Sequence, residues 1–404
     1  MILSLAWRNI WRNKARSMVI MLSVATGLFA GISVLALYKG MMKSRIRNVI
    51  DSETGHIQVH VPAFKDDQHP AYVLPDPDSL SRSISRLPGV RTTAPRSLTQ
   101  GMLQTATGSS GVQIHGVIPE KEYAVSQLNR KIVNGEGFHR DKKQEILIGR
   151  KLAEKMKLRI GSKVVLTFSD SSDNLVSMAF RIAGIYRTAN APLDELNVFV
   201  PMHTLNEGLQ IGTSAHEVVV LLHHDEDAER IKGTLQKAWP ALLVESWRDL
   251  SPETELLVQT IDQYAYIIMG IILLALAFGI LNTMLMSVLE RTREIGMMVA
   301  LGMGRGKVFL LILLETILLT VSGAPVGGGI AYILIGYYER NGLDLTGMGE
   351  ELMSSFGFDT TIYPYFPWDN LMTVIIMVIL TAWISSLLPA WKALRLKPVE
   401  ALRR

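Results

Sequence analysis

The sequence contains no complete catalytic or ligand-binding site. Two segments come near to one. Gly302–Lys307 (GMGRGK) has the glycines and the lysine of a phosphate-binding loop, but Leu301 stands where the first glycine is needed and Val308 follows the lysine. His56 and His60 share one face of an expected strand, without a third metal ligand in the pattern. We therefore predict no catalytic residues, no metal ion and no cofactor bound by this chain.

The composition excludes several classes of protein. The chain has 404 residues, of which 48% are hydrophobic and 19% are charged, whereas a soluble domain has about 25% charged residues. It has no cysteine, which rules out disulfides, thiolate metal sites and cysteine nucleophiles. The net charge of +4 is too small to indicate a nucleic-acid partner. The concentrated apolar residues instead indicate contact with membrane lipid.

Four apolar runs reach the length of roughly 20 residues that a transmembrane helix requires. They are Ser17–Tyr38, Tyr264–Leu289, Val308–Tyr338 and Asn370–Trp391. No small-residue cleavage site follows the first run, so we expect a retained anchor rather than a signal peptide. Glu315 is the one charge in the third run, and it either pairs with a basic residue of the preceding loop or reaches toward the membrane interface.

The distribution of basic residues predicts the orientation of these spans. Lysines and arginines concentrate in 1–16, 290–307 and 392–404, whereas 339–369 has one basic residue against six acidic ones. Both termini and the 290–307 loop are therefore expected in the cytoplasm. The segments 39–263 and 339–369 are expected on the outer side.

The segment 1–16 carries an apolar face next to basic residues. Leu3, Trp7, Ile10 and Trp11 fall on this face at helical spacing. This pattern is typical of a helix that lies in the inner interface of the membrane. A cytoplasmic extension of the first span is the alternative.

Glu290–Gly302 is a short charged segment between the second and third spans. Ile295, Met298 and Val299 form an apolar stripe along it, and Gly302 is suited to end a helix. Such a helix can dock into a groove of another protein, with the apolar stripe inserted and the charges at the rim. An ordinary polar loop with one helical turn is the alternative.

Residues 39–263 form one large segment, long enough for a core of its own. A strand–helix–strand pattern occurs twice in it, with a proline-containing break at matching places. The two copies are Gly55–Val61, Asp76–Leu87 and Val90–Pro95, then Glu217–Leu222, Asp225–Ala238 and Leu242–Trp247. Two such units on one sheet predict a ferredoxin-like α+β lobe.

A second lobe, rich in strands, is predicted at about 116–215, inserted into this repeat. Its expected elements are the helix Lys151–Met156 and the strands Lys163–Phe168, Ala179–Tyr186 and Asn197–Val200. Ser169–Met178 is polar and is expected to be an exposed hairpin tip. The predicted fold class is therefore a membrane α-helical protein with four transmembrane helices and a large periplasmic α+β domain.

Three segments resemble the FtsX-like permeases, the group of ABC transporter subunits that includes the MacB and lipoprotein-releasing types. They are LAWRNIWRNKARS at Leu5–Ser17, ERTREIG…ALG…E at Glu290–Glu315 and PAWKALRLKPVEALR at Pro389–Arg403. One span, a large outer domain and then three spans also match that family's order. GHIQV at Gly55–Val59 and ILIGRKLAEKMKLRIGSKVVL at Ile146–Leu166 look most like the LolC and LolE permeases.

The resemblance implies a permease in the bacterial inner membrane, driven by a dimer of a separate ABC ATPase that binds ATP and Mg²⁺. It implies a second permease chain as partner, with an identical chain favoured and a close paralogue as the alternative. Permeases of the LolC and LolE type extract lipoproteins from the inner membrane and pass them to a periplasmic carrier. MacB-type export of peptides or small molecules, FtsX-type signalling to a periplasmic enzyme, and a membrane-anchored binding module without an ATPase are the alternatives.

The resemblance also assigns roles to particular residues. A hook that recruits the carrier is implied at Ser169, Asp170, Asp173, Asn174 and Leu175. The helix seated on the ATPase is implied at Glu290, Arg291, Arg293, Glu294, Ile295, Gly296, Met298, Val299, Ala300, Leu301 and Gly302.

We expect two copies of the first and second spans to enclose an apolar cavity for the acyl chains of the substrate. The candidate cavity residues are Met21, Leu28, Leu273 and Leu276. Ordinary packing or lipid contact is the alternative for each of them.

Small residues recur in the first and third spans. Gly27 and Gly31 form a small-xxx-small pair that is suited to close helix contact. Gly323, Pro325 and Gly327–Gly329 are expected to make the third span bendable, with a static kink as the alternative.

Overall fold

The computed structural model describes residues 2–12, 14–106, 108–139, 142 and 144–394. Their contacts divide the chain into two compact units. We call one the membrane-helix unit, which comprises the described residues up to Met42, Gln259–Asp344 and the described residues from Thr361 onward. We call the other the large domain, which comprises Lys43–Val258 and Leu345–Thr360.

The helices of the described residues vary from about one turn to about eleven turns in length. They are α1 (Ile2–Arg12), α2 (Lys14–Val49), α3 (Pro62–Asp67), α4 (Pro77–Ser85), α5 (Pro119–Ser126), α6 (Leu128–Lys131), α7 (Arg150–Lys155), α8 (Ala191–Leu196), α9 (Met202–Leu209), α10 (Ala228–Ala238), α11 (Trp247–Leu250), α12 (Pro252–Glu290), α13 (Thr292–Ala300), α14 (Arg305–Asn341), α15 (Glu350–Ser355) and α16 (Trp368–Leu394).

Four helices in the described part of the chain are long and apolar enough to cross a membrane, namely α2, α12, α14 and α16. Each contains one of the four predicted runs, so the prediction of four apolar membrane helices is confirmed. Each helix also extends past its run, as α2 does from Lys14 to Val49. The third is one continuous helix through Pro325.

The N-terminal helix α1 packs against α14 and leaves a second apolar surface uncovered. Ala6 and Ile10, one turn apart, are buried, whereas Leu3, Trp7 and Trp11 are exposed. The prediction that Ile10 shares one apolar face with Leu3, Trp7 and Trp11 is therefore wrong. Ile10 instead belongs to the core of the membrane-helix unit. The exposed tryptophan rings contact each other edge to face, with their centroids 6.0 Å apart.

Glycines let α14 approach α2 closely. A Cβ atom on Gly323 would lie 2.7 Å from the carbonyl oxygen of Met21, and one on Gly327 would overlap the carbonyl oxygen of Ala25. A backbone carbonyl within a helix cannot swing aside as a flexible side chain can. These two glycines therefore serve close helix packing in a continuous helix.

The strands of the described residues belong to one large sheet and one small sheet. They are β1 (Ile57–His60), β2 (Val90–Thr105), β3 (Gly108–Val117), β4 (Ile132–Gly135), β5 (Glu145–Gly149), β6 (Lys163–Ser169), β7 (Leu175–Tyr186), β8 (Asn197–Pro201), β9 (Glu217–Leu222), β10 (Leu243–Ser246), β11 (Leu343–Asp344) and β12 (Thr361–Ile362).

The large domain is built on the larger sheet. Its strand order is β10-β1-β9-β2-β3-β8-β5-β7-β4, and β6 pairs with both β2 and β7. The two strand–helix–strand segments of the sequence supply β1, α4 and β2, then β9, α10 and β10. Their strands are neighbours in the order β10-β1-β9-β2, and each neighbouring pair is antiparallel.

Both helices of these segments pack on one face of the four strands. Ile84 of α4 and Ile231 of α10 share a buried cluster with Ile57 and Val218. Asp76 caps α4 by accepting a hydrogen bond from the backbone N–H of Ser79 at 3.0 Å. Because successive side chains of a strand point to opposite faces, the other face of these strands is left for polar residues.

The strand-rich part of the domain has a core of its own, which draws on β2. This strand has 16 residues, and its second half pairs with β6. Leu103, Val112 and Ile114 join Ile146 and Phe168 in a second buried cluster. The apolar core of the strand-rich lobe therefore begins before residue 116, because one long strand contributes to both cores.

The segment Leu345–Thr360 belongs to the large domain, although it lies between two membrane helices in the chain. Arg187 forms an ion pair with Glu350. The carboxylate of Asp359 accepts a hydrogen bond from the hydroxyl of Ser44 at 2.9 Å. Polar contacts thus hold this acidic loop against the rest of the large domain. The sequence pattern predicts only that the loop lies on the outer side.

We expect Gly327→Ala to destabilise the protein and Gly329→Ala to leave its stability equal or higher. The first adds a methyl group against the carbonyl oxygen of Ala25, whereas a Cβ atom at Gly329 meets nothing within 4 Å. Overpacking of this kind costs about 1–3 kcal/mol. Thermal unfolding of the two variants in the same detergent measures the difference, and equal midpoints would contradict the close crossing.

Candidate coupling site

The candidate site is the short helix α13, which lies between the ends of two long helices. α12 ends at Glu290, α13 covers Thr292–Ala300, and α14 begins at Arg305. The link from α12 is nearly continuous, because the backbone N–H of Arg291 donates to the carbonyl of Ser287 at 3.2 Å. A displacement of α13 therefore acts directly on α12.

The predicted apolar stripe of this helix faces the protein itself. Ile295 is buried in the core of the membrane-helix unit, and Met298 and Val299 pack against that core. Because the chain itself covers much of this stripe, its insertion into a partner stays a prediction. The stripe holds α13 against the chain, where Val308 and Ile312 of α14 belong to the same core.

A different set of side chains forms the outward face of α13. Arg293, Met297 and Ala300 are exposed at spacings of four and three residues, which places them on one side of the helix. Leu301 follows them and is 89% exposed, while Met297 is 47% exposed. Met297 is absent from the predicted site residues. Its position one turn after Arg293 could have indicated that it shares the same face.

A glycine ends the helix, as its sequence indicates. Gly302 adopts a φ of 96°, in the left-handed region that favours glycine. The backbone N–H groups of Gly302 and Met303 donate to the carbonyls of Val299 and Met298 at 3.1 and 3.0 Å, which is the Schellman arrangement. Gly304 then precedes α14, so the first half of GMGRGK is a turn between two helices and its second half, from Arg305, begins α14.

An ion-pair network fixes α13 to α14 and α1, and it fixes the end of α12 to α2. Arg291 donates to Glu315 of α14 at 3.1 and 3.2 Å, and to Glu294 at 3.2 Å. Arg12 of α1 forms an ion pair with Glu294, and Arg16 of α2 forms one with Glu290. The prediction that Glu315 pairs with a basic residue of the loop is confirmed.

The electrostatics of Glu294 reflect its two arginine partners. Burial raises the pKa of this carboxyl, but the hydrogen bonds from Arg291 and Arg12 outweigh burial and hold the pKa below its ordinary value. Glu294 is therefore ionised at neutral pH. The charged side chains on the inner side of α13 form ion pairs within the chain. The remaining charge lies on its outward face.

The four predicted cavity residues lie inside the packed helices. Leu28, Leu273 and Leu276 are buried, and Met21 packs against the same core. A Cβ atom on Gly27 would lie 3.1 Å from Leu276, so α2 and α12 cross closely there. These residues fill the core within one chain, and their contribution to a substrate cavity stays a prediction.

The predicted carrier hook is a tight turn rather than a long loop. β6 ends at Ser169 and β7 begins at Leu175, and these two residues are paired. Asp170 is buried, because its carboxylate accepts hydrogen bonds from the backbone N–H groups of Ser172 and Asn174 at 2.8 and 2.9 Å. The prediction of an exposed tip is therefore wrong for Asp170.

Two further contacts hold this turn against other parts of the large domain. The backbone N–H of Ser171 donates to the carbonyl of Leu209 at 3.1 Å. Asp173 lies 3.0 Å from Nε2 of His69. Leu175, at the start of β7, remains 78% exposed.

The two histidines considered as metal ligands have separate partners. Nε2 of His56 lies 2.9 Å from Asp225, and Nε2 of His60 lies 2.8 Å from Glu245. Among the residues that the structure describes, no group of three or more side chains is arranged to hold a metal ion.

We expect Arg291→Met to destabilise the protein by about 3 kcal/mol, because it leaves the buried carboxylate of Glu315 without its main partner. The double variant Arg291→Met, Glu315→Leu removes both charges and should recover most of this loss. Unfolding free energies of the two variants, measured in one detergent, give the comparison. A double variant as unstable as the single one would show that the pair is not the cause.

Comparison with known proteins places this arrangement in a family. The family model described as FtsX-like permease C-terminal matches residues 266–398, and the one described as MacB-like periplasmic core domain matches residues 17–238. The FtsX-like match therefore includes α13 and its outward face.

Three curated relatives illustrate the similarity. An uncharacterized ABC transporter permease, YknZ of Bacillus subtilis, is 37% identical over 137 residues, which are 34% of this chain and 30% of that protein. The lipoprotein-releasing system transmembrane protein LolC of Xylella fastidiosa is 23% identical over 96% of this chain and 93% of its own length. The macrolide export ATP-binding/permease protein MacB of Bdellovibrio bacteriovorus is 24% identical over 97% of this chain and 60% of its own length.

The match to the MacB-like core domain alone covers more than half of the 404 residues, and the FtsX-like match covers α13 with most of the second, third and fourth membrane helices. The chain therefore belongs to the FtsX-like, MacB-type family of ABC transporter permeases.

Proposed function

We propose that this chain transmits the work of an ABC ATPase dimer, bound on α13, to a substrate in or next to the inner membrane. The observation that carries this proposal is the outward face of α13, formed by Arg293, Met297, Ala300 and Leu301. ATP and Mg²⁺ are bound by the ATPase in this proposal. The ATPase is a separate chain.

The outward face has the chemistry of a docking helix. Met297 and Leu301 are apolar side chains left in solvent on a helix of nine residues, and Arg293 provides a charge beside them. A short amphipathic helix binds by laying such residues into a groove. Methionine adapts its shape readily to a partner surface.

The network around α13 explains how motion would spread. Arg291 ties α13 to α14 through Glu315, and Arg12 of α1 pairs with Glu294 of α13. Arg16 of α2 pairs with Glu290 at the end of α12. Ile295 adds an apolar contact on the inner side. Closure of the ATPase dimer would therefore move several membrane helices together rather than α12 alone.

The basic residues in 1–16, 290–307 and 392–404 support a cytoplasmic location of α13 and of both termini. The large domain and 339–369 then lie in the periplasm. The strands β10-β1-β9-β2 with α4 and α10 are best interpreted as a ferredoxin-like unit, since both helices cover one face of an antiparallel sheet in that order.

We propose that a second permease chain, identical in the simplest case, packs against α2 and α12. Both helices leave apolar side chains exposed, among them Leu22 on α2 and Ile271, Leu274 and Phe278 on α12. These side chains, rather than the buried Leu28, Leu273 and Leu276, would line a cavity between the two chains.

Lipoprotein release is the substrate reaction that we favour. Transfer of an acyl chain out of the bilayer costs about 0.8 kcal/mol per CH₂ group, so extraction requires an energy source. An apolar cavity between membrane helices would lower this cost. The similarity to LolC over 96% of the chain supports the assignment, with a periplasmic carrier as the acceptor.

Export of a peptide or small molecule, as in MacB-type transporters, is the second candidate. The turn at Asp170–Asn174 favours it, because a tight and fastened turn offers little surface to a carrier. This segment also lacks proline and basic residues. Purified complex in proteoliposomes distinguishes the two: ATP-dependent release of a bound acylated protein supports lipoprotein release, whereas transport of unacylated peptide alone would contradict it.

We expect Leu301→Asp to abolish co-purification of the ATPase and ATP-dependent activity, because it places a carboxylate in the apolar contact. The matched control is Leu352→Asp, which changes another exposed leucine, on α15 of the large domain. The control should retain the ATPase. Pull-down from membranes followed by ATP hydrolysis measures both, and retention by the Leu301 variant would contradict docking on this face.

A further inference from the structure

Helix α1 has an exposed surface that neither its packing nor the coupling proposal uses. Successive residues of a helix advance by about 100°, so residues four apart lie on one side. Ala6 and Ile10 lie on the buried side, and α1 packs against α14. Two exposed strips follow around the helix, first an apolar one and then a polar one. They are Leu3, Trp7 and Trp11, then Ser4, Arg8 and Arg12.

The helix meets α2 at a bend. The hydroxyl of Ser17 donates to the carbonyl of Ile10 at 2.6 Å. Seven residues of a straight α-helix rise by about 10.5 Å, so this hydrogen bond requires the chain to turn between α1 and α2. A straight extension of the first span is therefore wrong for α1. The bend lets α1 lie along a surface that α2 crosses.

The apolar strip is unusually large for a surface left in water. Leu3, Trp7 and Trp11 are 58%, 46% and 53% exposed. Each tryptophan has an extended apolar ring with one N–H donor, which suits an environment that is apolar at one end and wet at the other. The boundary between the acyl chains and the head groups of a membrane is such an environment, and tryptophan is enriched there.

The charges next to this strip are all positive. The first acidic residue of the chain is Asp51. Arg12 and Arg16 are compensated by their ion pairs with α13 and with the end of α12. Arg8 and Lys14 are exposed, and neither forms an ion pair within the part of the chain that the structure describes. Two positive charges are therefore left for a partner that carries negative charge.

The two strips together fit a lipid surface with acidic head groups. A helix that lies in the membrane interface buries its apolar side toward the acyl chains and keeps its basic side at the head groups. Arg8 follows the apolar strip around the helix, so it reaches the head groups when Trp7 and Trp11 are inserted. Lysine and arginine at this depth attract acidic lipids.

We propose that α1 binds acidic phospholipids at the membrane surface. Leu3, Trp7 and Trp11 contact the upper acyl chains, and Arg8 and Lys14 contact the phosphate groups. The inference goes beyond the interfacial position that the sequence predicts, because it assigns the charge of the lipid that α1 selects. It does not depend on the ATPase.

The absence of cysteine from the chain allows a single label to report on this surface. Ser4→Cys, at an exposed position one turn before Arg8, carries a bimane fluorophore in the full-length chain, reconstituted in phosphatidylcholine nanodiscs. The probes are phosphatidylglycerol and phosphatidylcholine with a nitroxide near the top of one acyl chain, each added at the same low fraction. We expect phosphatidylglycerol to quench the label at least about fivefold more strongly, which is the contribution of one cation near an acidic lipid. Equal quenching by the two lipids, or quenching by neither, would overturn the proposal.

Changes at Arg8 in the labelled chain test which charge selects the lipid. Arg8→Gln should lower the ratio of the two quenching constants about fivefold, whereas Arg8→Lys keeps the charge and should retain the ratio. The matched control is Arg340→Gln, which removes an exposed arginine at the other end of α14 and should leave the ratio unchanged. An unchanged ratio in Arg8→Gln, or an equal loss in Arg340→Gln, would contradict the assignment to α1.

The complex with the ATPase distinguishes a lipid surface from a protein partner. Quenching by phosphatidylglycerol should persist when the labelled chain is purified together with its ATPase and reconstituted in the same way. Loss of quenching in the complex would show that the two strips contact protein, contrary to the proposal. The measurements without ATPase do not involve the docking face of α13, so a failure of lipid binding and a failure of docking are distinguishable.

Discussion

Glu315 carries a negative charge on a membrane helix, and the structure around the coupling site depends on how that charge is compensated. Arg291 provides two hydrogen bonds to it and a third to Glu294, so one guanidinium joins α13 to α14. A buried ion pair of this kind adds little net stability, because desolvation offsets the attraction, but it is costly to break. It therefore holds the short helix in one position, as the proposed coupling to an ATPase would require.

The structure covers the apolar side of α13, whereas the sequence pattern alone suggests a free surface. Ile295, Met298 and Val299 secure the helix against its own chain, and the outward contacts are left to Arg293, Met297 and Leu301. A helix that is anchored on one side and exposed on the other can transmit a push without detaching. The same logic applies to α2 and α14, where Gly327 permits backbone contact and thus a rigid crossing.

The large domain separates its apolar and polar groups by strand face. Around β1, Ile57 and Val59 face the helices α4 and α10, whereas Gln58 and His60 lie on the opposite face of the sheet. The polar face buries Arg96 with Glu122 rather than exposing both to solvent. This arrangement leaves a polar groove on that face of the sheet.

Local sequence patterns are sufficient to predict the four apolar helices, the helical nature of the Glu290–Gly302 segment and many strands of the large domain, because these depend on local periodicity and on glycine at the helix end. The strands β3, β4 and β5 and the second half of β2 are not among those predicted. Tertiary structure decided which face of α13 is free, since Ile295 and Met297 differ only in what packs against them. It also decided that the carboxylate of Asp170 turns inward to accept hydrogen bonds from the backbone of Ser172 and Asn174, and that Leu28 and Leu276 fill the core. A one-dimensional pattern records which residues are apolar, but burial depends on which neighbouring element arrives to cover them.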